Sequence, residues 1–230
     1  SIEGWGTVQR KINFQMRLFT RYIFVLFACL SCNQAVAKKN YTVASPNRNI
    51  VYTIETKSGS LFYRVSFKGK IIIDISSISL LFKEGNFTNN LKITAATLSE
   101  ATESYSLIAG KAKNISDHYK QLAISLQQIK APFLKLNIVV RAFNDGLAFR
   151  YELPQWQNQS SFTLLQENTF FNLAQNPGIR ALMFDYYTSS HEGVYAKMPL
   201  SKIPKDTLID LPALFEYPNN IYVAITEAAL

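Results

Sequence analysis

The chain has 230 residues, 48% of them hydrophobic and 13% aromatic, which excludes a disordered or low-complexity protein and allows one domain to bury a real core. Its formal charge is +8, but beyond residue 37 the basic residues are scattered singly apart from Lys38-Lys39. No basic stripe runs along the chain to track a phosphate backbone, so nucleic acid is excluded as a partner.

The chain begins with a targeting signal. Met16 is followed by Arg17 and Arg21, then by the apolar run from Tyr22 to Leu30, then by Ala35-Val36-Ala37. A basic start, a short apolar stretch and a small-residue cleavage pattern are secretory-signal anatomy. The run is too short to span a bilayer. Residues 1–15 read as upstream of this signal, residues 16–37 as the signal, and residues 38–230 as one β-sandwich domain that is secreted or periplasmic and off the membrane after cleavage. The leader holds Arg10, Lys11, Arg17 and Arg21 against Glu3, which leaves 20 basic and 15 acidic residues and a charge of +5 on the remainder. Both cysteines, Cys29 and Cys32, fall in the leader, so the mature chain has no disulfide or thiolate chemistry. Acylation of either cysteine would make the segment a lipoprotein signal instead, but the residues before each fit a lipobox poorly.

Beyond the signal the chain reads as strands. Asn49–Lys57 and Leu61–Lys68 are β-branched and aromatic runs joined by Ser58-Gly59-Ser60, a hairpin signal. Lys68-Gly69-Lys70 marks a turn before Ile71-Ile72-Ile73, and Glu84-Gly85-Asn86 another after Leu80–Phe82. Leu91–Leu98 and Tyr105–Ala109 are predicted as separate short strands, and His118–Ile129 alternates in part. The clearest alternation is Leu134–Ala142, with Leu134, Leu136, Ile138, Val140 and Ala142 on one face. Leu147–Leu153 repeats it, and Asn144-Asp145-Gly146 between them predicts a tight antiparallel turn with positive φ at Asp145-Gly146. Further short strands are predicted at Phe162–Leu165, Thr169–Leu173, Ala181–Phe184, Thr207–Leu211, Ala213–Glu216 and Ile221–Thr226. The last two are joined at Pro218-Asn219-Asn220, and His191–Lys205 is expected to be a long excursion. No stretch carries a long 3.6-residue apolar period and no fixed-length repeat is present. Many short strands with frequent turns predict an all-β, two-sheet sandwich. The chain stops directly after a good strand, from which an excised piece of a longer polypeptide is expected.

Catalytic signatures are few. Two histidines and no mature cysteine cannot build a metal cluster, and no nucleophile elbow, P-loop or dinucleotide fingerprint is present. His118 and His191 read as ordinary surface or interface residues. Glycoside hydrolysis needs two carboxyls flanking one bond, and Asp185, Glu192, Glu216 and Glu227 cannot be paired from sequence alone. Aromatics beside polar loops are the other signal: Trp156 among Gln and Asn, and Tyr186 and Tyr187 beside Asp185 and Ser189-Ser190. Aromatic faces stack on the apolar faces of sugar rings, with neighbouring polar groups bonding the hydroxyls; alternatively the tyrosines are half-buried rim residues.

At "VVRAFNDGLAFRYELP", Val139 to Pro154, the sequence resembles the N-terminal domain of glycoside hydrolase family 97. "SPNRNIVYTIET" and "LFYRVSFKGKIII" resemble that domain's first strands, and "EGVYAKMPLSKI" and "IYVAITEAAL" its later segments. The resemblance covers residues 41–230 in order. It implies a β-supersandwich similar to galactose mutarotase-like domains, set before a catalytic (β/α)8 barrel in calcium-dependent α-glucosidases or α-galactosidases. It also implies that an N-terminal-domain glutamate joins barrel glutamates around a calcium ion, for which Glu227 is the match by motif position. The general acid and the nucleophile or base would then lie in the barrel, outside this chain, and the sandwich would be incomplete at its C-terminal end. The reading is therefore a carbohydrate-associated domain, with α-linked oligosaccharide and the barrel of the same polypeptide as partners and Trp156, Tyr186 and Tyr187 as candidate substrate contacts. A free-standing carbohydrate-binding module and a plain structural sandwich are the alternatives.

Overall fold

A computed structural model describes residues 40–110, 112–155 and 161–227. Trp156 and the predicted signal segment lie outside the described residues.

The first sheet is built from tight hairpins. Strands β1 (Tyr41–Ala44), β2 (Ile50–Lys57), β3 (Ser60–Phe67) and β4 (Lys70–Phe82) lie side by side, with β5 (Gly85–Asn86) also on β4. Ser58 and Gly59 turn the chain with φ of 51° and 77°, the paired positive values that match strand twist in a two-residue hairpin. A Cβ on Gly59 would also come within 2.8 Å of the Asn90 backbone nitrogen, so both torsion and space demand glycine there.

The second sheet runs β6 (Leu91–Ser106), β7 (Asn114–Gln128), β8 (Lys135–Ala142) and β9 (Leu147–Glu152), all antiparallel. The alternation expected in Leu134–Ala142 is seen: Leu134, Leu136, Ile138, Val140 and Ala142 are all buried. Two local expectations are corrected. The β8–β9 connection is a four-residue loop closed by the Phe143 amide donating to the Gly146 carbonyl at 2.8 Å, and neither Asp145 nor Gly146 has positive φ. Four residues close the hairpin without the left-handed torsions that a two-residue loop needs. Asn144 instead fastens the loop to the β1–β2 connection of the first sheet, its Oδ1 accepting from the Asn47 amide at 2.9 Å.

The second correction is the length of β6. The predicted strand 91–98 runs on unbroken to Ser106 and takes in the first two residues of the predicted strand 105–109, whose remaining residues lie outside it. Strand β8 ends opposite Lys120, so beyond that point β6 and β7 continue as a two-stranded arm. Every residue of β6 from Thr97 onward is exposed, which explains its polar Ser-Glu-Ala-Thr-Glu-Ser composition. Cross-strand side chains tie the arm: Tyr105 donates to Asp117 at 2.9 Å, His118 bonds Thr102 at 2.8 Å, and Tyr119 donates to Glu103 at 2.5 Å.

The first sheet is completed by β10 (Leu164–Thr169) on β4, and the chain then builds a third sheet. Strands β11 (Gly178–Ala181), β12 (Met183–Phe184), β13 (Ala196–Pro199), β14 (Leu208–Ile209), β15 (Ala213–Tyr217) and β16 (Ile221–Ile225) follow in sequence. The order in space is β13-β11-β15-β16, with β12 and β14 as a separate ribbon. The expected excursion over 191–205 therefore contains a strand, β13, which pairs Met198 with Ile179. The turn before β16 has Asn219 and Asn220 at φ of 64° and 57°, a conformation asparagine tolerates.

All three sheets share one core. Tyr52, Ile54, Leu61 and Tyr63 from the first, Leu122, Ile124, Leu136 and Ile138 from the second, and Ile179, Phe215 and Tyr217 from the third form a single buried cluster. The Tyr217 hydroxyl donates to the Ile72 carbonyl at 2.8 Å, joining third sheet to first. Tyr52 is fully buried and stacks on Tyr63 at 5.5 Å, and its hydroxyl has no hydrogen-bond partner among the described residues. A buried hydroxyl without a partner costs about 1–3 kcal/mol. Tyr52→Phe is therefore expected to hold or raise the urea midpoint, and a loss beyond about 1 kcal/mol would show that the hydroxyl is satisfied.

Candidate functional site

The register of the third sheet gathers four chain segments at one end. Ala181 pairs with Ala196, and Ala213 pairs with Ile225. The exit from β11, the entries to β13 and β15, and the exit from β16 thus lie together. Tyr186, Tyr187, His191 and Glu192 belong to the first connection, Asp210 to the segment entering β15, and Glu227 to the chain leaving β16. Glu216 does not join them. It pairs with Gly178 at the opposite end, where Arg180 and Lys197 hold it. The hydrogen bond from Arg180, reinforced by both cations, moves its carboxyl below the usual range.

The β12–β14 ribbon fixes the tyrosine loop. Met183 faces Ile209 and Phe184 faces Leu208, and the Asp210 amide donates to the Leu182 carbonyl at 2.9 Å. His191 Nδ1 lies 3.1 Å from Asp210 Oδ2, while Asp210 Oδ1 accepts from the Leu211 amide, also at 3.1 Å. The Phe184 ring meets the imidazole edge-on at 5.5 Å. His191 has φ of 57° and its amide donates to Ser189 Oγ. Gly193 closes the loop so tightly that a Cβ there would sit 2.8 Å from Leu182 Cδ1.

These residues surround a shallow hollow of about 150 Å³ lined by Phe184, Tyr186, Tyr187, His191, Leu208, Ile209 and Asp210. Tyr186 is 77% exposed and Tyr187 90%, so both are exposed rather than half-buried. The His191–Asp210 pair was not legible in the sequence: nineteen residues separate the partners, and no spacing rule links them. Glu227 is exposed just beyond β16. Ile221, Val223 and Ile225 turn inward and Tyr222 and Ala224 outward, as strand alternation predicts. Asp185 and Glu192 are exposed on the loop. Among the described residues, no three His, Cys, Asp or Glu side chains gather as a metal-binding group.

The family model described as "Glycosyl-hydrolase 97 N-terminal" matches residues 43–230. The chain belongs to this family. The family 97 N-terminal fold accounts for the all-β supersandwich, and the block from Val139 to Pro154 forms its β8–β9 hairpin, with Arg150 paired to Glu152. A retaining α-galactosidase of Bacteroides thetaiotaomicron is 27% identical over 216 residues, which cover 89% of this chain and 31% of that protein. A family 97 enzyme from Pseudoalteromonas sp. strain K8, solved with panose and separately with acarbose, superposes with a TM-score of 0.74 at 25% identity, covering 83% of this chain and 28% of that one. A β-arabinopyranosidase shares the fold at the same TM-score and 24% identity, over 83% of this chain and 32% of its own. The chain thus spans about a third of the length of these relatives.

Proposed function

We propose that this chain is the N-terminal domain of a secreted or periplasmic glycoside hydrolase acting on α-glucosides or α-galactosides, and that it works against a (β/α)8 catalytic barrel of the same polypeptide. The observation that carries this reading is the convergence of four segments at one end of the third sheet, with two open tyrosines and Glu227 among them. Loops gathered on a rigid sheet are where binding groups are usually presented. In this reading that end forms part of the active-site rim. Tyr186 and Tyr187, with Trp156, contact an α-linked oligosaccharide.

The same reading gives Glu227 a calcium ion. Calcium takes six to eight oxygens, and the described residues hold no cluster able to supply them. Glu227 would contribute one carboxylate, the remaining ligands coming from the barrel and water. In the full-length enzyme, Glu227→Gln is expected to weaken calcium binding by about tenfold or more, since affinity follows the charge of the ligand set. Activity should fall in parallel during a calcium titration. Wild-type affinity and wild-type activity in the variant would remove Glu227 from the site.

A further inference from the structure

We infer that the hollow beside the β12–β14 ribbon is a pyranose subsite in which His191, oriented by Asp210, reads one ring hydroxyl while Tyr186 and Tyr187 supply the apolar platform. This deepens the proposal that this end of the domain faces carbohydrate, and rests on it. An ordinary surface histidine does not carry this set of contacts. Here the carboxylate of Asp210 sits behind Nδ1, the Leu211 amide fixes that carboxylate, and Phe184 packs against the ring edge. The backbone of His191 is itself held in the left-handed region with its amide on Ser189.

The chemistry selects the ligand class. A carboxylate on Nδ1 places the proton of a neutral imidazole there, leaving Nε2 as an acceptor. Nε2 has no hydrogen-bond partner among the described residues, and the side chain is largely exposed. Leu208, Ile209 and Phe184 make an apolar floor, and the tyrosines present open ring faces. No lysine or arginine lines the hollow while Asp210 does, so a neutral polyol suits it better than a phosphate or carboxylate. An apolar floor, aromatic faces and one fixed acceptor match a sugar ring, whose C–H face is apolar and whose edge donates hydroxyl protons. The hollow is too small to enclose an oligosaccharide, which makes it a subsite for the edge of one ring.

The chain offers a clean readout because it has two histidines, His118 and His191. Imidazole resonances of the 230-residue chain should be followed during titration with methyl α-D-galactopyranoside and methyl α-D-glucopyranoside. The His191 signals are expected to shift with saturation, those of His118 to stay, and galactose 1-phosphate to bind no better than the neutral sugars. Tyr186→Ala and His191→Phe, the latter keeping a ring against Phe184, should each weaken binding about tenfold. Unmoved His191 signals with sugar on the order of 100 mM, far above the millimolar range of weak sites, would overturn the subsite. So would equal shifts at both histidines, or wild-type affinity in a folded His191→Phe chain. A domain required for hydrolysis in the full-length enzyme, yet silent at His191, would lose this subsite and keep the broader function.

Discussion

Purified on its own, this chain should leave aryl α-glucosides and aryl α-galactosides at their uncatalysed rate, while the full-length enzyme proposed above should hydrolyse them at least about a millionfold faster. The reaction needs two carboxyls, one kept protonated near neutral pH by a raised pKa. The two described carboxylates whose pKa moves both go the wrong way. Glu103 is lowered first by the hydrogen bond from Tyr119 and then by Arg141, and Glu216 by Arg180 and Lys197. Both shifts favour the ionised form, the opposite of what a general acid needs. Release of nitrophenol by the chain, persisting through further purification in proportion to protein, would overturn the division of labour proposed for the two domains.

The largest stability effect is expected at the centre of the sandwich. Ile138 lies in β8, paired with Ile124 of β7 on one side and Tyr151 of β9 on the other, and is fully buried. Ile138→Ala removes buried methylenes where three strands fix their neighbours, and should cost about 3 kcal/mol. Leu98 is an equally apolar residue in β6 but is 63% exposed. Leu98→Ala should stay within about 0.5 kcal/mol of wild type. Urea unfolding with an unchanged slope checks both, and comparable losses would mean that the sheet faces are assigned the wrong way round.

These positions also show why some features were legible in the sequence and others were not. Leu134 to Ala142 could be read because burial on a sheet has a period of two residues, and each inward residue there is apolar. Pro218-Asn219-Asn220 could be read because its torsions favour particular side chains. The conformation of residues 143–146 could not, since Asp-Gly fits several turns and the loop is tied to Asn47, far away in sequence. Strand β13 was hidden because Ala196–Pro199 is only four residues long, too short for its alternation to stand out, and ends on a proline; its pairing with β11 creates it. The candidate site was half legible. Aromatic residues beside polar ones announced Tyr186 and Tyr187, whereas the His191–Asp210 contact exists only once the ribbon has formed.

The β6–β7 arm divides the domain energetically. Among the described residues from Thr102 to His118, the strand-pairing hydrogen bonds run only between its own two strands, and an isolated two-stranded hairpin is at best marginally stable in water. The arm can therefore open while the core stays intact, so its amides should exchange with solvent at local rather than global cost. The same independence makes its outer turn, between Ser106 and Asn114, a place where evolution or an engineer can lengthen, shorten or replace the chain without disturbing the sandwich.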